Sequence, residues 1–324
     1  MNSASDRFPV PTILGPRSFL RAIGFGLCAL AFWGCATVAE EFRVMTFNLW
    51  VGGESGKQPL SQSAKVITAA KADIVGLQEA LGTEVGGQRP DRGREIASLL
   101  GWNYFAQGYG RALLTRHTIV EGSPRKWGAR IRLASGKEVW MFNVHFAPAP
   151  YQPYQLLRIP YGNGRFISTS AEAVEEAIKS RGDQVRELLE DIRTAASLGW
   201  PVFLTGDFNE PSHRDWTDRA NRAGLCPLPV PYPSTLAVEK AGFRDAYRVV
   251  WPDEAARTGW TWTPTTLPND PKDRHDRIDF VFYRGTGIVV RRCEVVGEDR
   301  KFADIVVTPY PSDHRAVVGT FVLP

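Results

Sequence analysis

The sequence predicts a single α/β domain. From residue 41 onward, short apolar stretches alternate with amphipathic segments of helical period. Hydrophobic content of 43% and charged content of 23% are those of a globular chain rather than a disordered or multi-pass membrane one. The 324 residues suffice for one large α/β domain, and no repeat, low-complexity linker or composition break divides them.

In chain order, "FRVMTFNLW" reads as a strand, "SQSAKVITAAKA" as a helix, "DIVGLQEA" as a strand and "DRGREIASLLG" as a helix. "RALLTRHTIVEG" reads as strand and turn, and "EVWMFNVHFAP" as a strand rich in β-branched and aromatic residues. A Pro-rich aromatic stretch, "APAPYQPYQLLRIPYGNGR", precedes a long helical pattern over 168–198. Its apolar face is expected at Val174, Ile178, Val185, Leu188, Leu189 and Ile192. "WPVFLTGDFN" is a strand, "HRDWTDRANRAG" a short helix, and the end of the chain is strand-rich ("RIDFVFYRG", "IVVRRCEVVG", "AVVGTFVL").

Residues 1–39 read as a leader. Arg17 and Arg21 precede "AIGFGLCALAFWGCA", an apolar run too short to span a bilayer, and "ATVAE" offers small residues for cleavage after Ala39. This predicts export, with the mature domain over 40–324. A lipid-modified Cys35 after Gly34 is the second reading and would supply the only membrane attachment. Removing Asp6, Arg7, Arg17 and Arg21 takes the formal charge from +4 to +2, too little to argue nucleic-acid binding from bulk charge. Cys226 and Cys293 then remain, enough for one disulfide in an oxidising compartment; no zinc-type Cys/His spacing is present.

Polar residues recur where apolar strands end. Asn48 follows "VMTF", Glu79 follows "IVGLQ", His145 follows "MFNV", and Asp207 and Asn209 follow "VFLTG". Asp279 lies in "RIDFVFY", and Asp313 and His314 lie in "PSDHRAVV". Singly, each is an ordinary turn or core residue. Together they are expected to meet in one cleft, because strands of one sheet or of two packed sheets can converge their ends. Alternate residues of an extended chain point the same way, so Asp207 and Asn209 can face one site, with Gly206 freeing the backbone to turn.

In order and wording, "TFNLW", "GLQE", "NVH", "GDFN", "RIDFVFY" and "SDH" resemble the endonuclease/exonuclease/phosphatase superfamily with its deoxyribonuclease I-like fold, over residues 41–324. "GDFNEPSHRDW" and "AGFRDAYR" are most similar to bacterial exported members. The resemblance implies a four-layer α/β sandwich, two mixed β-sheets face to face with helices outside, and a site at one end. It implies a hydrolase in which water attacks phosphorus beside Mg²⁺ or Mn²⁺. Glu79 matches the metal ligand, with Asn48 beside it and Asp313 near the metal. Asp207 matches the residue that orients or deprotonates water, Asn209 a donor to the phosphoryl oxygen, and His314 a phosphate-stabilising or acid/base group. Asp279 matches the partner of His314, with Asp276 a rival, and His145 matches a second acid or phosphate ligand. A histidine at that place is shared with deoxyribonuclease I, neutral sphingomyelinases and inositol polyphosphate phosphatases rather than with abasic-site nucleases.

Substrate class stays open at this point: nucleic acid, phospholipid or small phosphate ester, as diester or monoester. A neutral sphingomyelinase-like or inositol-phosphate-type enzyme competes with a nuclease, and a catalytically silent surface module is the alternative of another class. A monomer is expected. Arg111, Tyr151 and Tyr154 are candidate substrate contacts. The tyrosines, with Tyr161, either roof the cleft or pack on the long helix. Arg111 opens a basic stretch (Arg116, Arg125, Lys126, Arg130, Arg132) that reads either as a nucleic-acid contact or as a solvated hairpin face.

Overall fold

Residues 40–197 and 199–324 are described by a computed structural model, so the leader and Cys35 lie outside the described residues. Two mixed sheets result. The first contains β1 (Glu40–Asn48), β2 (Ile74–Gln78), β3 (Asn103–Gly108), β4 (Arg111–Thr115), β11 (Val289–Gly297), β12 (Ile305–Val306) and β13 (Ala316–Leu323), in the order β12-β11-β13-β1-β2-β4-β3. The second contains β5 (Thr118–Gly122), β6 (Gly128–Arg132), β7 (Glu138–His145), β8 (Val202–Asp207), β9 (Arg244–Asp245) and β10 (Asp279–Arg284), in the order β5-β6-β7-β8-β10-β9. At the centre of each sheet lies a parallel pair, β1 with β2 and β7 with β8, flanked by antiparallel β13 and β10.

Strand alternation builds the layers. In β1, Met45 and Phe47 pack outward on α1 (Leu60–Ala69) and α2 (Arg92–Leu100) with Val66, Ile67 and Ile96. In β7 and β8, Trp140, Phe142, Val202 and Leu204 pack outward on α4 (Ser170–Ala195) and α6 (Pro233–Lys240). The opposite parity faces inward, where Val44, Ile74, Met141, Phe203, Val281 and Phe321 fill the space between the sheets. Continuing that parity to the strand ends brings Asn48, His145, Asp207 and Asp279 to the inner face. The four-layer sandwich is therefore the observed fold.

A polar clasp joins the sheets just below those ends. The Asn143 amide donates to Leu77 O (2.8 Å) and Gln107 Oε1 (2.9 Å), and its Oδ1 accepts from Gln78 Nε2 (2.5 Å) and Thr205 Oγ1 (3.2 Å). Gly76 makes room for it, since a Cβ there would lie 2.1 Å from Thr205 Oγ1 and 2.5 Å from Asn143 Oδ1. Gly206, expected to open a turn, instead lies within β8: a Cβ would meet Val144 O of the neighbouring strand at 2.4 Å.

The long helix departs from the expected pattern at both ends and, in its face, at Ile178; Val185, Leu188 and Ile192 are buried as expected, and Val174 and Leu189 are partly buried. A capping box of Thr169 and Glu172 starts it at Ser170, and it ends at Ala195. The buried stripe is Ala173, Ala177, Arg181, Val185, Leu188, Asp191 and Ile192, while Ile178 is 52% exposed. The stripe follows steps of four through a charged residue, which a search for apolar periodicity misses. The remaining helices, α3 (Gln152–Leu157), α5 (Asp218–Arg222) and α7 (Ala246–Val250), are short. Cys226 and Cys293 are free thiols buried in separate clusters, so the disulfide is not formed.

Replacing Asn143 by Ala strands several buried donors and acceptors at once. We expect a loss of about 2–4 kcal/mol in urea unfolding; a loss below about 0.5 kcal/mol, that of an ordinary surface change, would show that the clasp does not hold the sheets together.

Candidate active site

The two sheets meet at Asn48 and Asp207. The Asn48 amide donates to Asp207 Oδ2 at 3.0 Å and approaches Glu79 Oε1 at 3.4 Å, while its Oδ1 accepts the Trp50 N–H at 3.0 Å. Asn48 thus bridges two carboxylates as a donor, with its oxygen turned to the Trp50 backbone, and it stands beside Glu79. Glu79, one residue past β2, takes φ +51° and is held by the Val51 N–H on Oε2 at 2.9 Å. Asn209 takes φ +49°, donates its backbone N–H to Asp207 Oδ1 (2.8 Å) and ties its amide to Phe146 O (3.0 Å). Both are left-handed conformations, readily adopted by Asn but uncommon for Glu, and they occur where the strands end.

His145 and Asp279 stand on either side of Asp207 in register, one on the parallel and one on the antiparallel neighbour. Asp279 Oδ2 lies 2.9 Å from His314 Nδ1, and His314 Nε2 lies 3.7 Å from Asp207 Oδ2, with His145 Nε2 at 3.6 Å from the same oxygen. Asp279, not Asp276, is therefore the hydrogen-bonded partner of His314. Asp276 is taken by Tyr151 Oη, Trp216 Nε1 and Arg274. Two residues that sequence reasoning passed over fix this geometry. Ser312 Oγ donates to Asn48 O (2.7 Å) and accepts the His314 N–H (3.1 Å), and Thr261 Oγ1 accepts the N–H groups of Ile278 and Asp279.

Electrostatics follow from burial and neighbours. Burial opposes charge on His314, but Asp279, Asp207 and Asp313 outweigh it and push the imidazole up to about 10, so it is a cation at neutral pH. Burial, with Asp279 adding to it, raises Asp207 against the lowering effects of His314 and His145. Asp313 is pushed up to about 7, first by burial and then by the Glu79 and Asp207 charges. Among the described residues its buried Oδ1 has no partner, and neither has Oδ1 of Asp279.

These observations fit a divalent cation at Glu79 and Asp313, hard carboxylates of which the first raises the second, and of which Asp313 has an oxygen without a partner among the described residues. Asp207, Asp279 and His314 also bring ligand atoms within 4.8 Å of one another. That triangle already holds the imidazolium cation, so Glu79 and Asp313 are the better site.

The site opens into a cleft of about 410 Å³ walled by Trp50, Tyr151, Tyr154, Tyr161, Trp262 and Ile278, with Glu79, His145, Asp207, Asn209, Asp313 and His314 at its floor. Tyr151 and Tyr154 pack with Ile159, Trp262 and Ile278, so they roof the cleft rather than join the apolar face of α4. Trp262, whose ring sits 4.9 Å from His314, borders the cleft, as expected from the TGWTWTP segment. Arg111 is not among the residues that line the cleft; its guanidinium lies over Trp127 at 4.6 Å. The basic stretch is a structural face: Arg116 pairs with Asp73, Arg125 with Glu190, Arg130 with Glu121 and Glu138, and Arg132 with Glu138.

Comparison with known proteins agrees with this geometry. An uncharacterized protein of Caenorhabditis elegans is 26% identical over 308 residues, which cover 88% of this chain and 92% of that one. An endonuclease/exonuclease/phosphatase from Beutenbergia cavernae has a similar fold, with a TM-score of 0.55 at 18% identity, over 87% of this chain and 72% of that one. An AP endonuclease from Archaeoglobus fulgidus gives a TM-score of 0.52 at 14% identity, over 86% of this chain and 98% of that one. The Endonuclease/Exonuclease/phosphatase family model matches residues 45–314, the span from β1 to His314 that contains every residue of the cleft floor. The chain therefore belongs to the endonuclease/exonuclease/phosphatase family of phosphoester hydrolases.

Proposed function

We propose that this chain is an exported, divalent-cation-dependent phosphoesterase that cleaves a phosphodiester, or a phosphomonoester, by attack of water on phosphorus. The observation that carries the reading is Asp207, buried at the junction of the two sheets, with histidines on both sides and Asp279 behind one of them. Asp207 accepts a proton from water as its oxygen bonds to phosphorus. His314, held by Asp279, presents Nε2–H to the negative charge that grows on the phosphoryl oxygens, and the Asn209 amide adds a neutral donor. The ester oxygen leaves with the electrons of the broken P–O bond, and His145 is placed to protonate it. A Mg²⁺ or Mn²⁺ ion bound through Glu79 and Asp313 supplies charge neutralisation at phosphate oxygen. The completeness of this set argues against a silent binding module. Export rests on the leader pattern, and a mature N-terminus near Glu40, or a blocked Cys35, is its test.

Three outcomes check the reading. In chelator, NMR titration of His314 should give a value near 10, falling toward the ordinary 6.5 in Asp279→Asn. Because the folded value is raised, the stability His314 contributes is complete below about pH 6.5 and is lost as pH rises through about 10. Glu79→Gln keeps shape but removes charge, so calorimetric Mn²⁺ affinity and turnover should both fall; unchanged turnover, or activity in excess chelator, excludes the metal role. Asp207→Asn and His314→Ala should each lower kcat on bis-p-nitrophenyl phosphate by about 10²- to 10⁴-fold with circular dichroism unchanged. The double variant should lose less than the product of the two, since both groups serve one transition state.

A further inference from the structure

We propose that Arg181 is a positioning residue for substrate choice: it fixes the tyrosine-bearing segment 147–169 over the cleft, so that the cleft takes a phosphoester carrying one flat aromatic ring. The inference rests on the phosphoesterase reading above and names the substrate class of that site.

Packing alone gives no reason for a charge at position 181. Its neighbours on the buried stripe of α4 are Ala177, Val185 and Leu188, and Arg181 is wholly buried, its Nε without a partner among the described residues. The nearest carboxylate oxygen, Glu210 Oε2, is 3.9 Å away and is itself engaged by Ser234 Oγ at 2.9 Å. A buried ion pair of such loose geometry is no gain in stability over a packed apolar side chain. What the guanidinium does, and Met or Leu cannot, is donate to Gln152 Oε1 (2.7 Å) and Pro150 O (3.1 Å), on either side of Tyr151. One turn along, Gln184 takes the Ala147 N–H at 2.9 Å. On the opposite side, Tyr151 Oη donates to Asp276 at 2.9 Å and Tyr154 Oη donates to Asp273. The roof is clamped from two directions.

The clamped rings define what fits. Tyr151 and Tyr154 meet edge to face at 4.9 Å and 89°, and Tyr154 and Tyr161 at 5.6 Å and 84°. Trp262 and Ile278 pack on the same cluster, with Trp262 Nε1 3.3 Å from Tyr154 Oη and the indole 4.9 Å from His314. Tyr151 and Tyr154 are nearly buried, so the open ring surface is that of Tyr161 and Trp262, which Tyr154 holds in place. Rings held in this way offer faces and edges to a flat partner, which an alkyl chain does not use. Among the described residues that line the cleft, Lys272 is the single Lys or Arg, and four arginines of the basic stretch are paired with carboxylates. A duplex, which needs many phosphate contacts, finds few here.

Titration calorimetry with phenylphosphonate, methylphosphonate and hexylphosphonate in Mn²⁺ reads this directly, because the P–C bond survives. We expect phenylphosphonate to bind at least about tenfold more tightly than methylphosphonate, the gain from burying one ring, and more tightly than hexylphosphonate. In Arg181→Met the phenyl-to-methyl ratio should fall to about threefold or less, with circular dichroism unchanged. Equal binding of the phenyl and methyl compounds by the wild type, tighter binding of the hexyl one, or an unchanged ratio in folded Arg181→Met overturns the inference. If Arg181→Met does not fold, Gln152→Ala removes the same contact from the roof side and is held to the same ratio. A protein that prefers phenylphosphonate but hydrolyses no ester overturns only the enzyme reading, so the two failures are distinguishable.

Discussion

The site exists because two sheets approach closely at one end while remaining a normal sandwich elsewhere. Asn48 belongs to one sheet and Asp207 to the other, yet their side chains are 3.0 Å apart. Apolar side chains between sheets hold them about 10 Å apart without setting a unique register. The Asn143 amide does set one, since it must satisfy Leu77 O and Gln107 Oε1 while accepting from Gln78 and Thr205. Gln78 immediately precedes Glu79, and Thr205 stands two residues before Asp207 on the same strand face. The clasp therefore positions Glu79 and Asp207 through the strands that carry them.

Gathering Glu79, Asp207, Asp279 and Asp313 in a buried space is unfavourable unless positive charge compensates it. His314 meets part of that need and is itself charged because of it. The Asn48 amide donates to Asp207 as well, whereas among the described residues the buried Oδ1 atoms of Asp313 and Asp279 have no partner. The carboxylate charge left over is what the cation proposed at Glu79 and Asp313 would offset.

The cleft floor was legible in the sequence because His145 and Asp207 end apolar strands on the inner parity, while Glu79, Asn209, Asp313 and His314 lie in short motifs beside strand ends whose order the family shares. Asn48 was legible in place but not in orientation, which depends on the Trp50 N–H. Strands β3 and β6 were hidden by their mixed polarity, and α3 by a proline beside aromatic residues. The Arg181 contact escaped because a charged residue interrupts the expected apolar stripe, and only the folded chain shows that its partners lie on another segment. The basic stretch carried no signal of its own, since its carboxylate partners come from residues distant in sequence, Asp73 and Glu190 among them.

The loop after β8 shows how the remaining buried charge supports the site. Asn209, at φ +49°, lies in a chain that is held on both sides. Directly after it, Glu210 accepts the Ser234 N–H at 2.8 Å, and His213 Nδ1 lies 2.9 Å from Thr235 Oγ1. Asp215 then receives Arg248 at 2.6 Å and Arg277 at 2.9 Å, and Arg277 also reaches Asp245 at 2.8 Å. Trp216 closes the series on Asp276, which Tyr151 of the roof also contacts. The loop that positions Asn209 and the segment that covers it thus share their anchors. Loosening either one disturbs both, and the shape of the cleft is set by the same contacts that hold its catalytic floor.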